Sequence, residues 1–158
     1  MTIVLEIWGI CLGVVFVLCL ALCRAAKRPI PGIRHSNPII LVMDDNAGVL
    51  NTVRMGLENE GYTVLTTSDP NEGLRLFKEG CQNISLVLLD ASMPEMTGHR
   101  MFENLWKIDP EVPVLLMARL YEEIAAAGEL KSNVHGSLLK PFSLGDLIGK
   151  VRELVSFA

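Results

Sequence analysis

The stretch "SLVLLDASMPEMTG", residues 85–98, decides how the rest of this sequence is interpreted. An apolar run leads directly into Asp90, and Pro94 and Gly98 then indicate a turn. Short, almost wholly apolar runs are typical of strands that are buried on both faces of a sheet. A carboxylate at the end of such a strand is unfavourable unless a cation or hydrogen bonds compensate its charge. Asp90 therefore needs partners from elsewhere in the chain.

The segments on either side alternate between two hydrophobic periods. Short apolar runs predict strands, and apolar residues three or four positions apart predict helices with one buried stripe. Five strands that alternate with five helices predict a parallel sheet covered by helices on both faces. The predicted strands are 39–43, 62–67, 84–89, 112–117 and 135–139, and the predicted helices are 47–61, 70–80, 98–109, 121–130 and 143–157.

Polar residues stand at the carboxyl ends of three predicted strands: Asp44 and Asp45 after the first, Asp90 after the third and Lys140 after the fifth. Ligands of such folds bind beyond these strand ends, so we expect the four side chains to converge. Mg²⁺ prefers one or two carboxylates together with water and phosphate oxygens, which makes it the expected ion. The alternative, that each acid only caps the following helix, does not explain all four together.

Four motifs in this order, "LVMDDN", "LVLLDASMPEMTG", "PVLLM" and "LLKPF", resemble the receiver domain of two-component response regulators. The resemblance covers residues 38–158, and the combination is specific although each motif alone is weak. It implies an α/β, flavodoxin-like (βα)5 fold: a doubly wound parallel sheet with strand order 2-1-3-4-5.

The resemblance also implies the role of each site residue. Asp90 would accept a phosphoryl group from a histidine kinase or a histidine phosphotransfer protein. A carboxylate nucleophile needs no base, so the chemistry rests on positioning and charge neutralisation, and the domain is a phosphoacceptor rather than an enzyme. Mg²⁺ would be held by Asp44, Asp45, Asp90 and the backbone carbonyl of Ser92, while Lys140 would contact the phosphoryl oxygens and form a cis bond to Pro141.

Three positions depart from the family pattern. Receivers usually carry Thr or Ser and then a small residue after the fourth strand, where this chain has Ala118 and Arg119. Arg119 either obstructs the site or supplies a substitute charge. Ser137 stands where receivers usually have Tyr or Phe. A two-state switch needs different contacts in its two states, so these changes put the usual output in doubt.

Other kinds of site fit less well. Haloacid-dehalogenase-type phosphatases carry a second Asp two residues after the nucleophile, where this chain has Ser92, and nucleotide-binding glycine motifs are absent. Residues 38–158 contain ten basic and seventeen acidic residues, which argues against a nucleic-acid partner. The four cysteines lack metal-site or disulfide spacing, and His99 and His135 are interpreted as surface or helix residues.

The N-terminal segment predicts a membrane anchor. Residues 7–23 carry no charge, and residues 3–23 would span about 31 Å as a helix, close to the roughly 30 Å bilayer core. Basic residues follow the run, which predicts a single pass of the inner membrane with the N-terminus outside and the receiver in the cytoplasm. We therefore divide the chain into an anchor (1–23), a cytoplasmic linker (24–37) and a receiver domain (38–158).

Alternatives to the anchor are a cleaved signal peptide, a lipoprotein signal, a buried helix and a misassigned start codon. A signal peptide would need basic residues before the apolar run, and a lipoprotein would need a small residue where Leu22 precedes Cys23. Gly9 and Gly13 have the GxxxG spacing that allows two membrane helices to approach closely, which adds a homodimer through these residues to the candidate partners.

Because the sequence ends at Ala158, directly after the last predicted helix, we expect a membrane-tethered, stand-alone receiver of a bacterial phosphorelay. One alternative is a pseudo-receiver that binds a protein partner regardless of phosphorylation. Another is the receiver remnant of a hybrid histidine kinase.

Overall fold

The computed structural model describes residues 37–80, 83–94, 96–120 and 134–156. Strands and helices alternate along the chain from Ile39 to Ala118, and one more strand and a last helix lie within residues 134–156. The elements are β1 (Ile39–Met43), α1 (Ala47–Asn59), β2 (Thr63–Thr67), α2 (Pro70–Gly80), β3 (Ile84–Asp90), α3 (Gly98–Ile108), β4 (Val114–Ala118), β5 (Val134–Leu139) and α4 (Leu144–Val155).

All five strands form one parallel sheet in the order β2-β1-β3-β4-β5. The predicted strand order 2-1-3-4-5 is therefore confirmed. β1 and β3 are neighbours in the middle of the sheet, so their carboxyl ends emerge side by side. β5 lies at one edge and is joined to β3 through β4.

Two hydrophobic cores cover the two faces of the sheet. Leu41 and Met43 of β1 pack with residues of α2 and α3, including Phe77 and Leu105. The alternate residues of the same strand, Ile40 and Val42, pack on the opposite face with residues of α1 and α4. Because successive strand residues point to opposite faces, a strand covered on both sides must be apolar throughout.

Side-chain caps fix the starts of the helices near the carboxyl edge of the sheet. The Asn46 side chain accepts hydrogen bonds from the backbone N–H groups of Gly48 and Val49 at the start of α1. Ser143 and Asp146 form a capping box at the start of α4. These caps hold the turns that follow β1 and β5, which carry Asp44, Asp45 and Lys140.

The predicted element boundaries differ from the observed ones by at most two residues. The prediction for β4 began at Val112, whereas the strand begins at Val114, after Pro113. The Pro113 carbonyl still accepts a hydrogen bond from Val87 N–H at 3.0 Å, but proline has no N–H to contribute to the ladder.

Several predictions concern residues outside the described ranges. These are the helix over 121–130, the anchor over 1–23 with its Gly9 and Gly13 pair, and the linker except for residue 37. Among the helices that the structure describes, none combines the length and the hydropathy required to cross a bilayer.

Candidate functional site

The fold brings the three predicted carboxylates together at the carboxyl edge of the sheet. Asp44 and Asp45 follow β1, and Asp90 is the last residue of β3. One carboxylate oxygen of each lies within 4.8 Å of one from each of the others. Asp44 and Asp90 are fully buried, whereas 30% of the Asp45 side chain is exposed. The site is therefore an acidic recess that opens to solvent on the Asp45 side.

Lys140 is the cation at the centre of this recess. Its Nζ lies 2.6 Å from Asp44 Oδ2 and 3.1 Å from Asp90 Oδ2, and only 14% of its side chain is exposed. The Lys140 backbone N–H donates to the Ala118 carbonyl at 2.7 Å, which fixes the start of the side chain. The bond from Lys140 to Pro141 is cis, as predicted.

Asp44 is held by two hydrogen bonds in addition to its burial. Lys140 Nζ donates to Oδ2, and the Asn46 backbone N–H donates to Oδ1 at 2.9 Å. Burial raises the pKa of the Asp44 carboxyl above its ordinary value, although these two hydrogen bonds and the Lys140 charge oppose the shift. The negative charge of Asp90 adds to the increase in this pKa. Sequence reasoning missed Asn46, which is a hydrogen-bond donor to the site and the cap of α1.

The two carboxylate oxygens of Asp90 differ in their hydrogen bonding. Oδ1 accepts a hydrogen bond from the Ser92 backbone N–H at 3.3 Å. Oδ2 has no hydrogen bond within the described ranges, because Lys140 Nζ lies close to it without hydrogen-bond geometry. The hydroxyl Oγ of Ser92 is likewise buried without a hydrogen-bond partner among the described residues.

This donor set fits a divalent cation. Hard cations such as Mg²⁺ take oxygen ligands, and the recess offers three carboxylates of which one reaches solvent. Among the described residues, the buried Oδ2 of Asp90 has the Lys140 ammonium nearby but no hydrogen-bond donor, so it is available to an additional ligand. The predicted ligands Asp44, Asp45 and Asp90 are thus brought together, and the Ser92 carbonyl stays a prediction.

Gly98 is required because the surrounding backbone leaves no room for a Cβ, not because of its own backbone conformation. A Cβ on Gly98 would lie 2.7 Å from Ala91 Cα and 3.1 Å from the Asp90 carbonyl oxygen. Its N–H donates to the Ala91 carbonyl at 2.9 Å, so the start of α3 packs directly on the turn after Asp90. Among the described glycines, Gly61 is the one with a positive φ, +88°.

The three departures from the family pattern lie on the last two strands of the sheet or directly after them. Ala118 ends β4 and is fully buried. Arg119 follows it, and its Nη2 lies 3.8 Å from Asp45 Oδ1, although 58% of the side chain is exposed. Ser137 is partly buried on β5 and pairs with Leu116 of β4. The structure therefore brings Arg119 into the site but leaves Ser137 in the sheet.

A groove of about 700 Å³ adjoins the recess. It runs between the first turns of α1 and the segment that follows β5, with Arg119 and Lys140 at the acidic end. Its other lining residues are mostly apolar or small: Asn46, Gly48, Val49, Thr52, Val53, Pro141 and Phe142.

His99 and His135 are surface residues outside the recess, as predicted. His99 is exposed on α3, with Nε2 3.7 Å from Glu103 Oε1. His135 is exposed near the start of β5, where its Nδ1 accepts a hydrogen bond from the Val114 N–H at 3.4 Å. Cys81 lies outside the described ranges.

The family comparison agrees with this geometry. The family model described as the response regulator receiver domain matches residues 40–152, which include the acids, Lys140 and every described strand but the first residue of β1. The chain belongs to the response regulator receiver family. The receiver domain is thus a component of two-component signalling, as the sequence predicted.

Curated relatives of this receiver domain are longer proteins. The transcriptional regulatory protein PrrA of Mycobacterium tuberculosis is 34% identical over 121 residues, which cover 76% of this chain and 51% of the relative. The transcriptional regulatory protein GlrR of Escherichia coli is 31% identical over 107 residues, covering 68% of this chain and 24% of the relative. The chain spans about half the length of PrrA and about a quarter of GlrR.

Solved receiver domains have the same fold. A response regulator receiver domain protein from Clostridium thermocellum is 31% identical with a TM-score of 0.69, covering 75% of this chain and 94% of that one. A CheY-like receiver domain protein from Methanospirillum hungatei is 26% identical with a TM-score of 0.70, covering 77% and 95%. The flavodoxin-like α/β fold predicted for the receiver is thereby confirmed.

Proposed function

We propose that this receiver domain accepts a phosphoryl group on Asp90 from a phosphohistidine of a histidine kinase or a histidine phosphotransfer protein. The observation that carries the proposal is the buried Asp90 carboxylate, whose Oδ2 accepts no hydrogen bond from the described part of the chain and lies 3.1 Å from Lys140 Nζ. Two further carboxylates lie within 4.8 Å, so the site also holds a cation-binding donor set.

The transfer needs little covalent chemistry from the protein. The Asp90 carboxylate attacks phosphorus, the new O–P bond forms as the P–N bond to the donor histidine breaks, and the leaving imidazole takes up a proton. Lys140 Nζ is within reach of the oxygens on the transferred group and stabilises their charge. The fixed end of β3 and the Ser92 N–H hold the nucleophile in position.

The residues that would hold Mg²⁺ are Asp44, Asp45 and Asp90, with the Ser92 carbonyl proposed by resemblance. When bound, the ion supplies charge neutralisation for the phosphoryl oxygens. Because Asp45 is the most exposed of the three acids, it lies on the solvent side, where an ion and a phosphodonor would enter.

We assign the domain as a phosphoacceptor that assists its own phosphorylation and dephosphorylation at most, rather than as an enzyme with a separate substrate. The acids and Lys140 suffice for one transfer to Asp90. This assignment predicts stoichiometric, not repeated, consumption of a phosphodonor in short incubations.

The full chain, incubated with Mg²⁺ and acetyl phosphate, is expected to gain one phosphoryl group by intact-protein mass spectrometry. Asp90→Asn should remove this gain. Asp69→Asn is the matched control, because Asp69 is an exposed aspartate outside the recess whose capping hydrogen bond to Asn71 N–H an asparagine can replace. Labelling that persists in Asp90→Asn would contradict the assignment.

A second candidate function is a pseudo-receiver that binds one protein partner regardless of phosphate. Ala118 favours it, because this buried position has no hydroxyl to bond a phosphoryl group. Amide chemical shifts measured on addition of Mg²⁺ and beryllofluoride separate the two. Shifts that extend from Asp90 to β5 and α4 support a switch, shifts confined to the recess support a phosphate-accepting module without that output, and no shifts near Asp90 support the pseudo-receiver.

We further propose that residues 3–23 tether the receiver to the inner membrane, with the N-terminus outside and residues 24–37 as a cytoplasmic linker. The support is the uncharged run 7–23 followed by basic residues. A reporter fused after Ala158 should enter the membrane fraction and resist external protease. Recovery of the fusion in the soluble fraction would refute the tether.

A further inference from the structure

Arg119 is a second cation at the acidic recess, at a position where receivers usually have a small residue. Its guanidinium Nη2 lies 3.8 Å from Asp45 Oδ1. Asp45 is also the acid through which the recess meets solvent, since Asp44 and Asp90 are fully buried. Arg119 therefore contacts the proposed metal ligand that an incoming ion would meet first.

The two positive charges at the recess come from residues that follow two different strands. Lys140, after β5, pairs with Asp44 and Asp90, and Arg119, after β4, pairs with Asp45. Each carboxylate consequently has a cation from the chain itself. When all three carboxylates are ionised, these two cations reduce their formal charge from −3 to −1.

An arginine in this place opposes a divalent ion in two ways. A carboxylate oxygen in contact with a guanidinium must leave it, or share it, before it coordinates a metal. The positive charge of the guanidinium also repels a divalent ion bound a few ångströms away. A metal therefore competes with Arg119 for Asp45.

We propose that Arg119 is an internal competitor of the divalent cation at Asp45, so that the Mg²⁺ affinity of the recess is set in part by the breaking of this ion pair. The inference rests on the proposed metal site and adds the residue that regulates it. Because the pair is largely exposed, its effect is modest: removing the guanidinium should tighten cation binding about three- to fivefold, equivalent to about 0.7–1 kcal/mol.

The test titrates the full chain with Mn²⁺, whose free concentration is read from its electron paramagnetic resonance signal, and repeats the titration with Mg²⁺ as the competitor. Arg119→Gln is compared with Lys150→Gln. Lys150 is a matched control, because it is a half-exposed cation on α4 that pairs with Glu153 at 3.2 Å, outside the recess. Unfolding midpoints confirm that both variants fold.

Arg119→Gln should lower the Mn²⁺ dissociation constant about three- to fivefold, while Lys150→Gln leaves it unchanged. In an Asp45→Asn background, the effect of Arg119→Gln should be at least halved, because the competition acts through Asp45. Equal affinities in wild type and Arg119→Gln, or an equal gain in Lys150→Gln, would overturn the inference while leaving the metal site intact. A failure of both wild type and Arg119→Gln to bind Mn²⁺ would overturn the metal site and the inference with it.

Discussion

At the scale of single residues, Asp44 is the carboxylate whose ionisation the fold opposes. Its side chain is fully buried and lies beside a second buried acid, Asp90. Burial raises the pKa of the Asp44 carboxyl, and the hydrogen bonds from Lys140 and Asn46 offset only part of that increase. The folded protein therefore holds this proton more tightly than the unfolded chain does.

Asp44→Asn should consequently gain stability relative to the wild type as the pH rises. Above about pH 4, the ordinary pKa of an aspartate, the unfolded chain loses the proton before the folded protein does. The unfolding free energy of the wild type then falls with rising pH until the folded carboxyl has also ionised, and the asparagine variant lacks this contribution. Urea unfolding of both proteins at pH 4.5 and pH 7, without divalent ions, measures the difference.

Saturating Mg²⁺ serves as the control for this experiment, because a bound cation favours the ionised carboxyl and should reverse the advantage of Asp44→Asn at neutral pH. A stability difference that stays constant from pH 4.5 to pH 7, or one that favours the wild type increasingly as the pH rises, would contradict the assigned direction of the pKa shift.

The residue types of the site could be predicted from sequence, but some of its contacts could not. Asp44, Asp45, Asp90 and Lys140 stand at strand ends, and strand ends of a parallel sheet converge, so pattern alone brings them together. The ion pair between Arg119 and Asp45 depends on side-chain direction beyond two different strands, which no periodicity encodes. The sequence left open whether Arg119 obstructs the site or supplies a substitute charge, and both possibilities are compatible with its position beside Asp45.

At the scale of elements, the contact between α3 and the turn after Asp90 connects helix packing with the site. Gly98 begins α3, and its Cα lies so close to the Ala91 and Asp90 backbone that a Cβ would overlap them. Backbone atoms cannot move aside as the end of a flexible side chain can. The start of α3 and the turn after Asp90 therefore hold each other in place.

Gly98→Ala should destabilise the protein by about 1–3 kcal/mol, the usual effect of overpacking. Gly149→Ala is the matched control, because Gly149 lies within α4 and a Cβ there would meet nothing within 4 Å. That change should stabilise the protein by about 0.5–1 kcal/mol, since alanine loses less backbone entropy in a helix than glycine does. Urea unfolding measures both, and equal effects of the two substitutions would show that Gly98 has no special packing role.

The elements themselves could be predicted because two hydrophobic periods alternate clearly along the chain. The end of α1 was harder to predict than its start. The predicted helix runs to Gly61, whereas the observed helix ends at Asn59, and Gly61, with its positive φ, turns the chain toward β2. The start of β4 was placed too early because apolar Val112 precedes Pro113. In both cases the predicted segment included a glycine or proline that lies just outside the observed element.

At the scale of the whole molecule, stability and cation binding are linked. A ligand that binds only the folded state raises the unfolding free energy by about 2.7 kcal/mol at one hundred times its dissociation constant. For a domain of this size, that corresponds to an increase of about 10 °C in the unfolding midpoint. Mg²⁺ at such a concentration should therefore raise the midpoint markedly.

Asp90→Asn and Asp45→Asn should reduce this Mg²⁺-dependent increase, because each removes a proposed ligand. Differential scanning calorimetry in MgCl₂, compared with NaCl of equal ionic strength, separates specific binding from screening of charge. Equal increases in both salts would argue against a specific cation site.

The sheet order could be predicted only through the family resemblance, because hydrophobic periodicity gives the number and the sequence of strands but not their neighbours. Alternation of strands and helices is compatible with several strand orders that share right-handed crossovers. The family motifs supplied the order of the strands in the sheet, which the hydrophobic pattern does not give. The membrane anchor differs in this respect, since it depends on hydropathy and flanking charge alone and stays a prediction.

Lys140 has a mechanical consequence for the molecule. It follows the edge strand β5, yet its ammonium group reaches Asp44 after β1 and Asp90 at the end of β3, so one side chain ties the sheet edge to its middle. Any group that draws Lys140 Nζ away from Asp44 weakens this connection between the edge and the middle of the sheet. Lys140, Pro141 and Phe142 line the groove, and Ser143 then caps α4, so the Lys140 contact is joined directly to the start of that helix. We therefore expect a phosphoryl group on Asp90 to act on the backbone that leads into α4 through Lys140, a route that does not use the side chains of Ala118 and Ser137.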